Sequence, residues 1–137
     1  MIGLLILAQQ EIGKGLILAT EHVLGCRPAR LDNVEVDYTH SPEQLAQVLQ
    51  QHIQKLNEEQ GILILADVYG ATHTNVACRF LKKNHIELVA GVNLPMLIRV
   101  LNYRDLGLPD LVLKALTGGT EGITCATALN QPTEAHR

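Results

Sequence analysis

The stretch GILILADVYGATHTNVA, residues 61–77, decides the fold. Gly61 to Ala66 is an unbroken apolar run, too short for most helices and rich enough in Ile and Leu to suit a strand buried on both faces. Asp67 comes directly off that strand, and Gly70 allows a tight turn. Thr72, Thr74 and Asn75 stand where a short helix begins, with Val76, Ala77, Phe80 and Leu81 as its apolar positions. A buried strand that turns straight into a helix is the repeating step of a parallel sheet.

The same step recurs on either side. IGLLILA at 2–8 and IELVAGV at 86–92 are further buried runs, whereas VEVDY at 34–38 alternates apolar with polar and suits a half-exposed strand near a sheet edge. Between them, Ile12, Leu16, Ala19 and Val23 fall on one face of a helix that Gly25 ends. Ser41, Pro42 and Gln44 write a capping box for a second helix, with Leu45, Val48, Leu49, His52, Ile53 and Leu56 as its inner face. Two more helices are expected, Pro95 to Tyr103 and Leu108 to Leu116, the latter ended by Gly118 and Gly119. Strands alternating with helices imply right-handed crossovers and a doubly wound, three-layer α/β fold. Its mainly parallel sheet is expected in the order 2-1-3-4.

That order places the topological switch point between the strands at 2–8 and 61–66. Ligands of open α/β sheets bind outside the carboxyl ends of strands at such a point. The residues leaving those ends are Gln9 to Glu11 and Asp67 to Thr74. Helix-start amides and hydroxyls make an anion site there, although a plain helix cap accounts for the same residues. After the double glycine, GITCATAL at 122–129 reads as a further short strand, and residues 131–137 as a polar tail behind a single domain spanning 1–130.

Composition excludes several roles. A formal net charge of -3 and 3% aromatic residues leave neither a basic surface for a nucleic-acid backbone nor a stacking platform for bases. The 47% hydrophobic content supplies one core, and no run approaches the roughly 20 apolar residues that span a bilayer. Cys26, Cys78 and Cys125 are far apart, odd in number and without a CxxC pair, so they read as reduced thiols. The six histidines share no metal-ligand spacing, and neither a metal nor a cofactor is expected. The apolar start lacks a positive leading region, which points to a cytoplasmic protein without direct membrane insertion.

Four segments, MIGLLILAQQEIGKGLILATEHVLG, GILILADVYGATHTNVA, VAGVNLPMLIRVLNYR and KALTGGTEGI, resemble in order, across nearly the whole chain, the enzyme IIA components of the mannose/fructose/sorbose class of the phosphoenolpyruvate-dependent sugar phosphotransferase system. In that family the first strand ends in a turn whose His takes a phosphoryl group from the histidine-containing phosphocarrier protein and hands it to enzyme IIB. The resemblance makes Asp67 the acid that orients the imidazole, and Gly70, Ala71 and Thr72 the loop that receives phosphoryl oxygens. It implies cytoplasmic work beside a membrane permease, and a homodimer in which the last strand crosses, antiparallel, to the partner's sheet. A strand folded back onto its own sheet is the other pairing that the sequence allows.

This chain departs from the family at the acceptor. Gln9 stands at the position of the family His and Gln10 at that of its Gly. A carboxamide nitrogen has a delocalised lone pair and cannot take a phosphoryl group. Gln9 can still donate a hydrogen bond to Asp67. His73 stands where the family usually has Pro, and reads either as a relocated acceptor or as a solvent-facing residue of the first helical turn. Lys14, Arg79, Arg99 and Arg104 make either a basic docking rim or scattered surface charge. Leu94, Pro95, Met96 and Leu97 suit an interface or core. Two functions follow: phosphoryl relay in sugar uptake or its regulation, or a non-phosphorylatable descendant that binds partners in the old pocket. An unrelated flavodoxin-like domain is the remaining reading.

Overall fold

The computed structural model describes residues 1–130 and contains a four-stranded parallel sheet in the order β2-β1-β3-β4. The strands are β1 (Gly3–Gln9), β2 (Leu31–Val36), β3 (Ile62–Ala66) and β4 (Ile86–Ala90). Alternate residues of the two central strands face opposite layers. Leu4, Ile6, Leu63 and Leu65 pack under α1 (Ile12–Leu24), α4 (Leu94–Asn102) and α5 (Leu108–Glu121), where Ile17, Leu97, Val100, Leu111 and Ala115 meet them. Leu5, Leu7, Ile62 and Ile64 pack under α2 (Pro42–Leu56) and α3 (Thr72–Cys78), against Leu45, Leu49, Ile53, Val76 and Ala77. The three-layer, 2-1-3-4 sheet expected from the sequence is the one observed.

Local signals explain the helix starts. Ser41 Oγ accepts from Gln44 N at 3.1 Å while Gln44 Oε1 accepts from Ser41 N at 2.8 Å, completing the capping box of α2. Asn93 caps α4 by accepting from Met96 N at 2.8 Å, and its amide donates to Gly119 O at 3.2 Å, tying the start of α4 to the end of α5.

Three expectations need correction. The inner face of α1 is Gly13, Ile17 and Thr20, with Leu16 half-buried, while Ile12 and Val23 are exposed. The four-three-four spacing selected a stripe about one position away from the one that packs, because Gly13 allows the helix close to the sheet. Gly118 and Gly119 do not end α5 but lie inside it, buried. A Cβ on Gly118 would sit 2.5 Å from Arg99 Cβ, so this pair gives α5 its close approach to α4 rather than a stop. The segment 122–129 forms no strand: Ala126–Leu129 is a short helix, α6, with no buried residue. The expected tail at 131–137 lies outside the described residues.

Candidate functional site

The register sets the site. Leu7 of β1 lies opposite Ala66 of β3, so the chain leaves both central strands at the same height, and Gln9 and Asp67 emerge side by side. The Asp67 carboxyl gathers three donors. Gln9 N donates to Oδ2 at 2.9 Å, Val68 N donates to Oδ1 at 2.8 Å, and His73 Nε2 lies 2.6 Å from Oδ1. Burial raises the pKa of this acid, but the bonds from His73, Gln9 and Val68 and the charge of His73 together hold it below the usual carboxylate range. Asp67 is therefore ionised at neutral pH. An ionised carboxylate only accepts, so Nε2 carries a ring proton of His73, and in the neutral form of the ring the lone pair stands on Nδ1.

His73 is not the solvent-facing residue that the first-turn reading expected: only 3% of it is exposed. As the second residue of α3 it points back along the helix toward the end of β3, where Asp67 draws the ring in. The Asp67 pair is the ring's hydrogen bond among the described residues. The fully buried side-chain nitrogens and oxygens without a partner there are Asn33 Oδ1 and Arg104 Nε; His73 Nδ1 is not one of them. The ring borders a cavity of about 450 Å³ that Gln9, Gly70, Ala71, Thr72 and His73 line together. The structure thus brings Gln9, Gly70, Ala71, Thr72 and His73 together beside Asp67. Gln9, however, meets the acid through its backbone N–H, where a side-chain bond was expected.

The far wall of the cavity comes from the β2–α2 connection: Asp37, Tyr38, His40 and Ser41. Sequence reasoning confined the site to the two central strand ends and missed these residues. The signal was the edge strand, since Gln9 pairs with Val36, which leaves residues 37–41 beside it. Thr74 does not face the cavity; it is buried, and its hydroxyl donates to Ala71 O at 2.9 Å.

Two residues of the expected basic rim are engaged elsewhere. Arg104 is buried at the opposite end of the sheet, donating to Ala29 O at 2.9 Å and Ile2 O at 2.6 Å, and Arg99 pairs with Glu121 at 3.6 Å. Met96 and Leu97 belong to the core, the second of the two readings offered for that segment. Among the described residues no three His, Cys, Asp or Glu side chains converge as metal ligands, and no helix is long and apolar enough to cross a membrane.

The 2-1-3-4 parallel sheet is the one that the resemblance implied, and the comparison with known families agrees. The model of the PTS system fructose IIA component matches residues 3–113. The chain belongs to the mannose/fructose-class EIIA family of the phosphotransferase system. The mannose-specific EIIAB component of Escherichia coli K12 is 36% identical over 89 residues, 63% of this chain and 28% of that protein. The fructose-specific EIIA component of Bacillus subtilis is 39% identical over 71 residues, 49% of each chain. The matches thus span less than two thirds of either relative's length.

Among solved structures, an EIIA component from Streptococcus agalactiae superposes with a TM-score of 0.83 at 25% identity, covering 93% of this chain and 99% of that one. The mannose/sorbose IIA subunit of Enterococcus faecalis gives 0.82 at 19% identity, over 90% and 93%, and shares the fold. This EIIA-family chain has the four-stranded 2-1-3-4 sheet, with Asp67 directly after the central strand β3 and Gln at position 9.

Proposed function

We propose that this chain serves a mannose-class phosphotransferase system as its EIIA-type component, docked over the carboxyl end of the sheet by a phosphohistidine carrier and an EIIB-type partner, with position 9 silent as a phosphoryl acceptor. The observation that supports this reading is the Asp67 carboxylate, held ionised at the switch point by three donors while the imidazole in contact with it comes from His73 and not from residue 9. An acid kept in that state orients and charge-balances an imidazole, which is what phosphoryl relay through histidine requires. Gln9 contributes only its backbone N–H to that arrangement.

The carboxamide at position 9 favours a second reading, a descendant that binds the same partners and regulates without carrying phosphate. One titration separates the two from an unrelated role. Isotope-labelled chain is mixed with the histidine-containing phosphocarrier protein, and amide shifts are followed. Saturable shifts around residues 9–12, 37–41 and 67–73 support an EIIA-type role, and their absence refutes it. The double substitution Gln9→His and Gln10→Gly is expected to let residue 9 take phosphate from the phosphorylated carrier, because Asp67 stands within reach of that position.

The chain is also proposed to work as a homodimer. Leu113, Leu116, Ile123 and Leu129 are large apolar side chains exposed near its carboxyl end. A second copy would cover them.

A further inference from the structure

We propose that His73 is a phosphoryl acceptor, taking the group on Nδ1. This rests on the carrier-docking reading above, and adds to it the residue and atom at which transfer occurs.

Three properties single out this ring. First, its lone pair is placed. The 2.6 Å contact of Nε2 with Asp67 Oδ1 sets a proton on Nε2, so that in the neutral ring Nδ1 carries the lone pair and is the nucleophile. His52 also pairs with an acid, Asp32, but through Nδ1 at 2.9 Å, and it lies outside the cavity. Second, the ring borders space. The cavity of about 450 Å³ is several times the volume of a phosphoryl group, and Thr72 and the Gln9 carboxamide line it as donors for phosphoryl oxygens. Asp37, the acid that lines the cavity, is engaged by Thr39 N at 2.9 Å.

Third, the charge of the product is balanced. In the transfer, the Nδ1 lone pair of His73 forms a bond to the phosphorus of a carrier phosphohistidine. The nitrogen–phosphorus bond of the donor breaks and its electron pair returns to that donor nitrogen; with a proton already on its other nitrogen, the donor imidazole leaves as a neutral ring and no further proton moves. No oxidant, reductant or metal is consumed. His73 then carries phosphate on Nδ1 and a proton on Nε2, a cationic ring directly against the Asp67 carboxylate. Burial to 3% exposure also screens the new bond from water, which suits a phosphate that is held rather than passed on quickly.

The test uses the full chain with labelled phosphoenolpyruvate, enzyme I and the phosphocarrier protein, followed by digestion in alkali-stable conditions and phosphosite mapping by mass spectrometry. The expected result is acid-labile, alkali-stable phosphate on His73. It is lost in His73→Asn and formed at least about tenfold more slowly in Asp67→Asn, whose ring is no longer held in one tautomer. Mapping on the unsubstituted chain decides the matter even if His73→Asn fails to fold. Phosphate solely on another residue overturns the proposal. So does an unlabelled chain, and the shift titration then tells which reading has fallen: binding without labelling removes His73 alone, and no binding removes the EIIA-type role with it.

Discussion

Replacing Asp67 by Asn tests the electrostatic centre of the site without changing its shape. The acid accepts from Gln9 N on Oδ2 and from Val68 N and His73 Nε2 on Oδ1. An Asn side chain has one accepting oxygen. Turned toward Val68 and His73, it sets its NH₂ against Gln9 N–H and strands that donor, at a cost of about 1–3 kcal/mol. The two surviving bonds lose their charge assistance, about 1 kcal/mol each. With Asp67 11% exposed and His73 3%, solvent recovers little of this, so the loss is expected at about 3–5 kcal/mol. Denaturant unfolding at pH 7, read at constant m-value, measures it. A double-mutant cycle with His73→Gln should give a coupling of about 1–2 kcal/mol, since each change removes the same bond. A loss below about 0.5 kcal/mol, or strict additivity, would refute the view that Asp67 and His73 act as one unit.

Acidification should reproduce part of that loss. The pKa of Asp67 is lowered on folding, so its contribution is fully present above the unfolded carboxylate value of about 3.9 and disappears as pH falls through the folded value; unfolding curves of wild type and Asp67→Asn should therefore converge in that acidic window and stay apart at pH 7. Gln10 sits in the left-handed region at φ 51, which costs a non-glycine residue about 1 kcal/mol, so Gln10→Gly should leave stability unchanged or raise it by up to about 1 kcal/mol in thermal unfolding. Gly118→Ala should destabilise by about 1–2 kcal/mol despite the better helix propensity of Ala, because the new methyl meets Arg99 Cβ at 2.5 Å; a stabilised variant would show that α4 and α5 separate easily. Light scattering at micromolar concentration should give twice the chain mass, and deletion of residues 122–137, everything beyond α5, should return a monomer if the chain's end makes the interface.

The sheet was legible because each strand's reading was local. Unbroken apolar runs marked the central strands β1 and β3, and an alternating run marked the edge β2; β4, expected to be buried, carries Glu87 and is the other, half-exposed edge. What failed was whatever depended on a partner element. Gly118 and Gly119 look like a helix stop until Arg99 and Met96 are seen against them, and the apolar stripe of α1 shifts because Gly13, silent in any hydrophobic pattern, sets the depth of the helix. The segment 122–129 carries strand-forming residues but pairs with no strand among the described residues, and it ends as the short helix α6.

His73 failed for a further reason, which bears on the chemistry. First-turn helical residues usually face water, and a sequence reading has no means to see that an acid six residues earlier turns one of them inward. That pairing exists only because Asp67 ends β3 while His73 opens α3, so the short turn through Gly70 brings the two together, and because residue 9 offers Asp67 nothing but a backbone N–H. Had position 9 carried an imidazole, two rings would compete for one carboxylate. Restoring that imidazole by Gln9→His should therefore loosen the Asp67–His73 contact, and the His73 ring resonances should move in the variant by an amount that Gln9→Asn does not cause.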